Sequence, residues 1–212
     1  VITSVGSPAA VLPILRDGGV KVLCDVASMR HVEKALELGV DGLVLLSAGA
    51  GGNSGWVNPF AFVRAVRRIY DGPLVLAGGI SDGVSVHAAL TLGCTLVNVG
   101  TRFIATRESM AVPAYKQMLV DSTADDLVIS AGITGTPASW LKPSLPMNGL
   151  DPENMPDASS RHYDSSTNFA GKKWLDVWAA GQGLGTIRAR QSVNDIVNQL
   201  GHEYQTAMHR LQ

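Results

Sequence analysis

Short apolar, β-branched runs recur along the first hundred residues, at 1–5, 20–26, 42–46, 74–77 and 96–99, with stretches of helical spacing between them. Runs that are apolar at every position, rather than at alternate ones, mark strands covered on both faces, as in parallel sheets. The intervening stretches predict helices over 9–16, 29–38, 59–70 and 84–92, with Ser28 and Asp82 as N-caps. Such βαβ repetition predicts a parallel sheet flanked by helices, either a doubly wound open sheet or a barrel. A further helix is expected at 113–120 and an apolar run at 127–133. Residues 135–171 are dense in Pro, Asn, Asp and Ser and predict a long irregular loop, a length uncommon unless functional. Helical pattern returns at 172–180 and 193–211, where Ile196, Leu200 and Tyr204 share one face and would pack on the sheet or at a contact between copies of a homo-oligomer.

Composition narrows the class. The 212 residues are 46% apolar, and 17 Lys plus Arg against 18 Asp plus Glu leave a net charge of −1, so no electrostatic footprint points to nucleic acid or an anionic membrane. The two cysteines, Cys24 and Cys94, sit in apolar runs without metal-ligand or disulfide spacing, which points to a reducing, cytoplasmic setting and to no metal site. No apolar run is long enough to span a bilayer. The strand pattern begins at Val1 with no lead-in, so an N-terminal segment is expected to be missing.

The 23 glycines fall mostly just after the apolar runs. Two turns stand out: Ala77-Gly78-Gly79-Ile80-Ser81-Asp82-Gly83 and Asn98-Val99-Gly100-Thr101-Arg102-Phe103, each between a strand and a helix. Glycine turns there expose backbone N–H groups at helix N-termini, where a phosphate is favoured, and two on consecutive strands can grip one phosphate. Upstream, Ser47-Ala48-Gly49-Ala50-Gly51-Gly52-Asn53-Ser54-Gly55 is small enough for a flat ligand to lie on its backbone. It has neither the Gly-Lys-Ser/Thr ending of a P-loop nor a dinucleotide fingerprint, so a mononucleotide is favoured. No cysteine-bearing loop follows Gly100-Thr101, which argues against a nucleotide dehydrogenase barrel.

Together, Ala48-Gly49-Ala50-Gly51-Gly52, Asn58-Pro59-Phe60-Ala61, Leu76-Ala77-Gly78-Gly79-Ile80, Gly100-Thr101-Arg102-Phe103, Gly135-Thr136-Pro137-Ala138-Ser139-Trp140-Leu141 and Trp178-Ala179-Ala180-Gly181-Gln182-Gly183 resemble, in this order, the nitronate monooxygenases, or 2-nitropropane dioxygenase-like flavoproteins. The resemblance implies an α/β (β/α)8 TIM barrel holding FMN at the carboxyl ends of its strands. Strands four to eight would be present here, strands one to three absent, and C-terminal helices added. Residues 1–134 would be the FMN-binding part of the barrel, 135–170 an irregular loop and 171–212 a helical segment packed on it.

The same resemblance implies that Ala77, Gly78, Gly79, Gly100 and Thr101 hold the phosphate, with Gly51, Gly52 and Gln182 near the flavin. It also implies oxidation of alkyl nitronates with molecular oxygen. A histidine base that many members carry after the glycines is Asn53 here, and asparagine has no titrating group to act as a general base. Preformed nitronates need no base. Asn53 would then hydrogen-bond substrate, and an FMN-dependent enoyl-thioester reductase, or a flavin-binding relative with little catalysis, remain the alternatives.

Other polar residues are weighed by position. Asp25 ends the second strand, on the catalytic face of a barrel, and is a candidate to line the substrate site. Its neighbour Cys24 points the other way along the pleat. His31 and His87 fall within helices and read as solvated residues. Arg102 and Arg107 are candidates for a phosphate or for the helix surface, and Trp140, Trp174 and Trp178 read as packing residues.

Overall fold

A computed structural model describes residues 1–156 and 174–210. Its strands, in chain order, are β1 (Ile2–Thr3), β2 (Leu23–Val26), β3 (Gly42–Leu46), β4 (Gly52–Asn53), β5 (Leu74–Ala77), β6 (Leu96–Asn98), β7 (Leu127–Ser130) and β8 (Ala138–Leu141). The helices are α1 (Leu12–Asp17), α2 (Met29–Glu37), α3 (Pro59–Val66), α4 (Gly83–Leu92), α5 (Thr101–Ile104), α6 (Pro113–Asp121) and α7 (Val193–His209).

Five strands form one parallel sheet in the order β1-β2-β3-β5-β6. The order never reverses, so the sheet follows the wall of a barrel and has no switch point of the doubly wound kind. Leu46 pairs with Ala77 and Ala77 with Asn98, so β3, β5 and β6 end level and their glycine turns emerge side by side.

Both faces of the sheet are apolar. On one, Val22, Cys24, Val26, Leu43, Leu45, Leu74 and Leu76 pack against Val32 and Ala35 of α2, Phe62, Val63 and Val66 of α3, and Ala89 of α4. On the other, Val44, Val75 and Ala77 gather with Leu23 and Leu46. Ser28 and Asp82 cap α2 and α4 as expected, each accepting from a backbone N–H three residues on. The first helix starts later than the sequence suggests: a 3-10 turn at Pro8–Ala10 precedes α1.

Two expectations for the second half are corrected. The segment anticipated as an irregular loop contains β8, which pairs antiparallel with β7 and with β4 in a three-stranded sheet ordered β4-β8-β7. Its four residues are all buried, and the one polar side chain, Ser139, donates its hydroxyl to Ala180 O at 2.7 Å, so a strand is stable despite polar, Pro-rich flanks. Residues 157–170 of that segment lie outside the described residues. The helix expected at 172–180 is not formed by its described part: 174–176 make a turn and Ala179 bridges Trp140. The C-terminal α7 packs along α4. A Cβ on Gly83 would stand 2.3 Å from Leu200 O and Tyr204 N, so this contact is made backbone to backbone.

Candidate active site

Three glycine loops close on one another above β3, β5 and β6. The carbonyl of Gly49 accepts from Gly79 N–H (3.2 Å) and Gln182 N–H (2.9 Å), which ties the third loop to the turn after β5 and to the 181–182 turn. Ser47 donates both its N–H (3.0 Å) and its hydroxyl (2.9 Å) to Ala77 O. Gly181 N–H donates to Thr101 Oγ1 at 2.9 Å. A Cβ on Gly51 would lie 2.5 Å from Gly181 N, so these backbones meet where no side chain fits. Between them is a cavity of about 280 Å³, walled by Gly51, Gly52, Ala77, Gly78, Gly79, Gly100 and Thr101 together with Tyr115, Trp174 and Gly183. Seven of the eight residues singled out for the cofactor thus share one wall. The eighth, Gln182, stands behind Gly49, its Oε1 3.1 Å from where a Gly49 Cβ would be.

Two glycines differ from the rest. Gly79 adopts φ +72°, and a Cβ there or on Gly100, both residues of the cavity wall, would meet nothing within 4 Å. Thr101 accepts from Gly181, so its hydroxyl hydrogen remains for a ligand. The first turn of α5 has no side-chain cap; Phe103 and Ile104 donate their N–H groups to Gly100 O, which leaves those of Thr101 and Arg102 without an intrahelical partner. A mononucleotide phosphate fits this donor set and this absence of side chains.

The N-terminus of α4, by contrast, does not serve as expected. Asp82 accepts from Ser85 N–H (2.7 Å) and Glu203 of α7 accepts from Gly83 N–H (2.8 Å). Two carboxylates therefore stand at that helix end and take up the N–H groups of Gly83 and Ser85.

Arg102 neither reaches the cavity wall nor lies on a surface. It is 3% exposed, and its guanidinium donates to Ser81 O (2.5 Å) and to Gln199 Oε1 (2.7 Å). Gln199 in turn donates to Glu203 Oε1 at 2.7 Å, so one chain of bonds runs from the α5 turn through α7 to Gly83. Arg107 donates its N–H to Gln191 O. Trp140 is fully buried against Trp174, with ring centres 4.6 Å apart, and Trp174 also faces the cavity. Tyr115 was not foreseen. It stacks on Trp178 at 5.1 Å and donates its hydroxyl to Ala179 O, and burial pushes its pKa up to about 12. A lone tyrosine early in a helix carries no sequence signal for that place.

A second cavity of about 420 Å³ adjoins the first, with Leu46 in both walls. It brings together Asp25 and Asn53, the two residues singled out for substrate, with Ser4, His31, Lys34, Ser54 and Thr136. Asn53 lies on β4 one residue after Gly52, so this short strand divides the cavities. Its Oδ1 accepts from Thr136 Oγ1 at 3.4 Å. His31 is exposed on its helix, as expected, and also lines this cavity; its Nδ1 accepts from Ala27 N–H at 3.4 Å. His87 packs edge-on against Tyr204 at 5.6 Å. Burial raises the pKa of the Asp25 carboxyl above its ordinary value, and a hydrogen bond with Ser4 partly offsets this. Among the described residues no group of three His, Cys, Asp or Glu is placed to hold a metal, and no helix is long and apolar enough to cross a membrane.

A parallel α/β arc with its cavities at the carboxyl ends of the strands defines an α/β-barrel protein of the ligand-binding kind. The model of the nitronate monooxygenase family matches residues 1–203, and the chain belongs to that family. It is 26% identical over a 223-residue alignment to a nitronate monooxygenase from Paraburkholderia phytofirmans, covering 97% of this chain and 61% of that protein. It is 30% identical over 163 residues to a (3aS,4S,5R,7aS)-5-hydroxy-7a-methyl-1-oxo-octahydro-1H-indene-4-carboxyl-CoA dehydrogenase from Rhodococcus jostii, covering 76% of this chain and 46% of that protein. The chain therefore spans about half to three-fifths of these relatives. Among solved structures, FabK from Thermotoga maritima shares the fold with a TM-score of 0.79 at 24% identity, over 99% of this chain and 69% of that one. A nitroalkane oxidase from Streptomyces ansochromogenes does so with a TM-score of 0.78 at 24% identity, over 100% and 66%.

Proposed function

We propose that this chain forms the cofactor-holding part of an FMN-dependent oxidoreductase that oxidises alkyl nitronates with molecular oxygen. The observation that carries the reading is the pair of open glycines, Gly79 and Gly100, in the wall of a cavity where the backbones of Gly51 and Gly78 are closely packed. In this reading Thr101 and the first turn of α5 hold the FMN phosphate, Gly78 and Gly79 leave room for it, and the 49–52 loop with Gly181 and Gln182 borders the ring system. Bound flavin supplies a two-electron acceptor.

The larger cavity then takes the substrate. With Asn53 Oδ1 turned to Thr136, the Nδ2 hydrogens are the ones left to donate to a nitronate oxygen, and an anion already lacking its proton needs no more from that residue. Buried, unpaired Cys24 and Cys94 suit a reducing cytoplasm.

A second reading is redox chemistry next to a thioester carbonyl, as the name of the Rhodococcus relative suggests for that protein. Asn53 would donate equally well to a thioester oxygen. Anaerobic mixing separates the two. Loss of the oxidised-flavin absorbance on adding ethylnitronate is the expected result; bleaching by NADPH or by an acyl-thioester alone would replace the first reading with the second.

A further inference from the structure

We propose that Asp25 is a general base of the substrate cavity, and that it works with Asn53 to remove a proton from carbon next to a nitro or carbonyl group. The assignment rests on reading the larger cavity as the substrate site. It extends that reading from preformed anions to neutral carbon acids.

The register of the sheet turns Asp25 inward. Cys24 and Val26 belong to the helix-covered core, so the alternate residues Leu23 and Asp25 face the opposite side. Leu23 lies there in the cluster of Val44 and Val75, and Asp25 is paired with Val44. Asp25 therefore sits near the carboxyl end of a barrel strand, on the inner face, where such folds carry their reacting groups.

The other titratable groups in the cavity wall do not fill the role. Burial raises the pKa of the Cys24 thiol and keeps it protonated. Lys34 carries no lone pair when charged. In neutral His31 the one ring nitrogen with a lone pair is Nδ1, and it faces Ala27 N–H. A carboxylate is the remaining acceptor, and its partial burial strengthens it as a base.

The chemistry needs a donor and an acceptor on the same substrate. The C–H bond breaks and its proton goes to an Asp25 oxygen. The electron pair stays on the substrate, delocalised onto the nitro or carbonyl oxygen, and Asn53 Nδ2–H donates to that oxygen. In this pairing the base stands on β2, and Asn53, on β4, holds the oxygen.

The step is read without oxidation by solvent exchange. Nitroethane in D2O is incubated anaerobically with the purified protein, so that any bound flavin turns over at most once, and loss of the CH2 proton signal is followed by NMR. Wild-type protein is expected to exchange faster than buffer, Asp25→Asn to lose about 100-fold or more of that excess, and Asp25→Glu to recover part of it. Asn53→Ala should lower the exchange while leaving its dependence on Asp25. Melting temperatures of the variants check that the fold is kept. Unchanged exchange in Asp25→Asn, or loss in His31→Gln in its place, overturns the proposal. Flavin titration of the same samples is independent: exchange that depends on Asp25 in a protein that binds no FMN would sink the proposed function and leave the base.

Discussion

Replacing Gly100 by Asp separates cofactor binding from folding. The residue has φ −99°, ψ −69°, an ordinary backbone conformation for any side chain, and an added Cβ meets nothing within 4 Å. The apoprotein should therefore keep its stability to within about 0.5 kcal/mol, as expected for a surface substitution. A phosphate held by Thr101 would face the new carboxylate. For a dianion and a unit charge about 5 Å apart, Coulomb's law gives about 2 kcal/mol at the dielectric of water and about 7 kcal/mol at an effective value near 20.

The side chain can rotate toward solvent, so the lower figure is the guide, and the FMN dissociation constant should rise at least about 10-fold. Gly201→Asp, in open space on α7 away from the cavity, makes the same charge change and is the control. Quenching of FMN fluorescence gives the affinities, and urea unfolding of the flavin-free proteins gives the stabilities. Equal affinity in wild type and Gly100→Asp would show that no phosphate lies at this turn, and a large stability loss would show that the position is not open.

Gly51→Ala should behave differently, because its Cβ would meet backbone at Gly181 N: a stability loss of about 1–3 kcal/mol in urea unfolding, together with weakened FMN binding, is expected. Arg102→Met removes the bonds to Ser81 O and Gln199, and should cost about 2–3 kcal/mol and lower the protection of Gly83 N–H in hydrogen exchange. Alkaline pH should destabilise the fold through two buried groups, Cys94 raised to about 11 and Tyr115 raised to about 12. Both favour the protonated form in the native state, so their contribution is intact below pH 9 and is lost as pH rises through 11 and 12. Urea midpoints measured from pH 8 to 11 should fall, and fall less in Cys94→Ala.

The strands and glycine turns could be read from the sequence because each depends on neighbours in the chain: a parallel strand is apolar along its length, and a tight turn at its end needs glycine. What escaped depends on distant partners. Glu203 reaches Gly83 N–H from 120 positions away and converts an apparent anion site into a capped helix end. Arg102 is buried by Gln199, 97 positions on, so its charge gave no hint of its surroundings. In β8 the hydroxyl of Ser139 is hidden by Ala180, 41 positions on, and a Ser-containing run between prolines gave no strand pattern. His31 is solvated as its helix pattern says, and only its bond with Ala27 N–H, set by how the start of α2 folds back on the end of β2, was hidden.

Whether the cavity between the glycine turns is an FMN site is decided by the visible absorbance spectrum of the purified protein, before and after denaturation. The expected result is a yellow protein with on the order of one flavin per chain, and release of that flavin as FMN when the protein unfolds. A colourless protein that takes up no FMN when titrated with it would rule out an FMN site in this cavity.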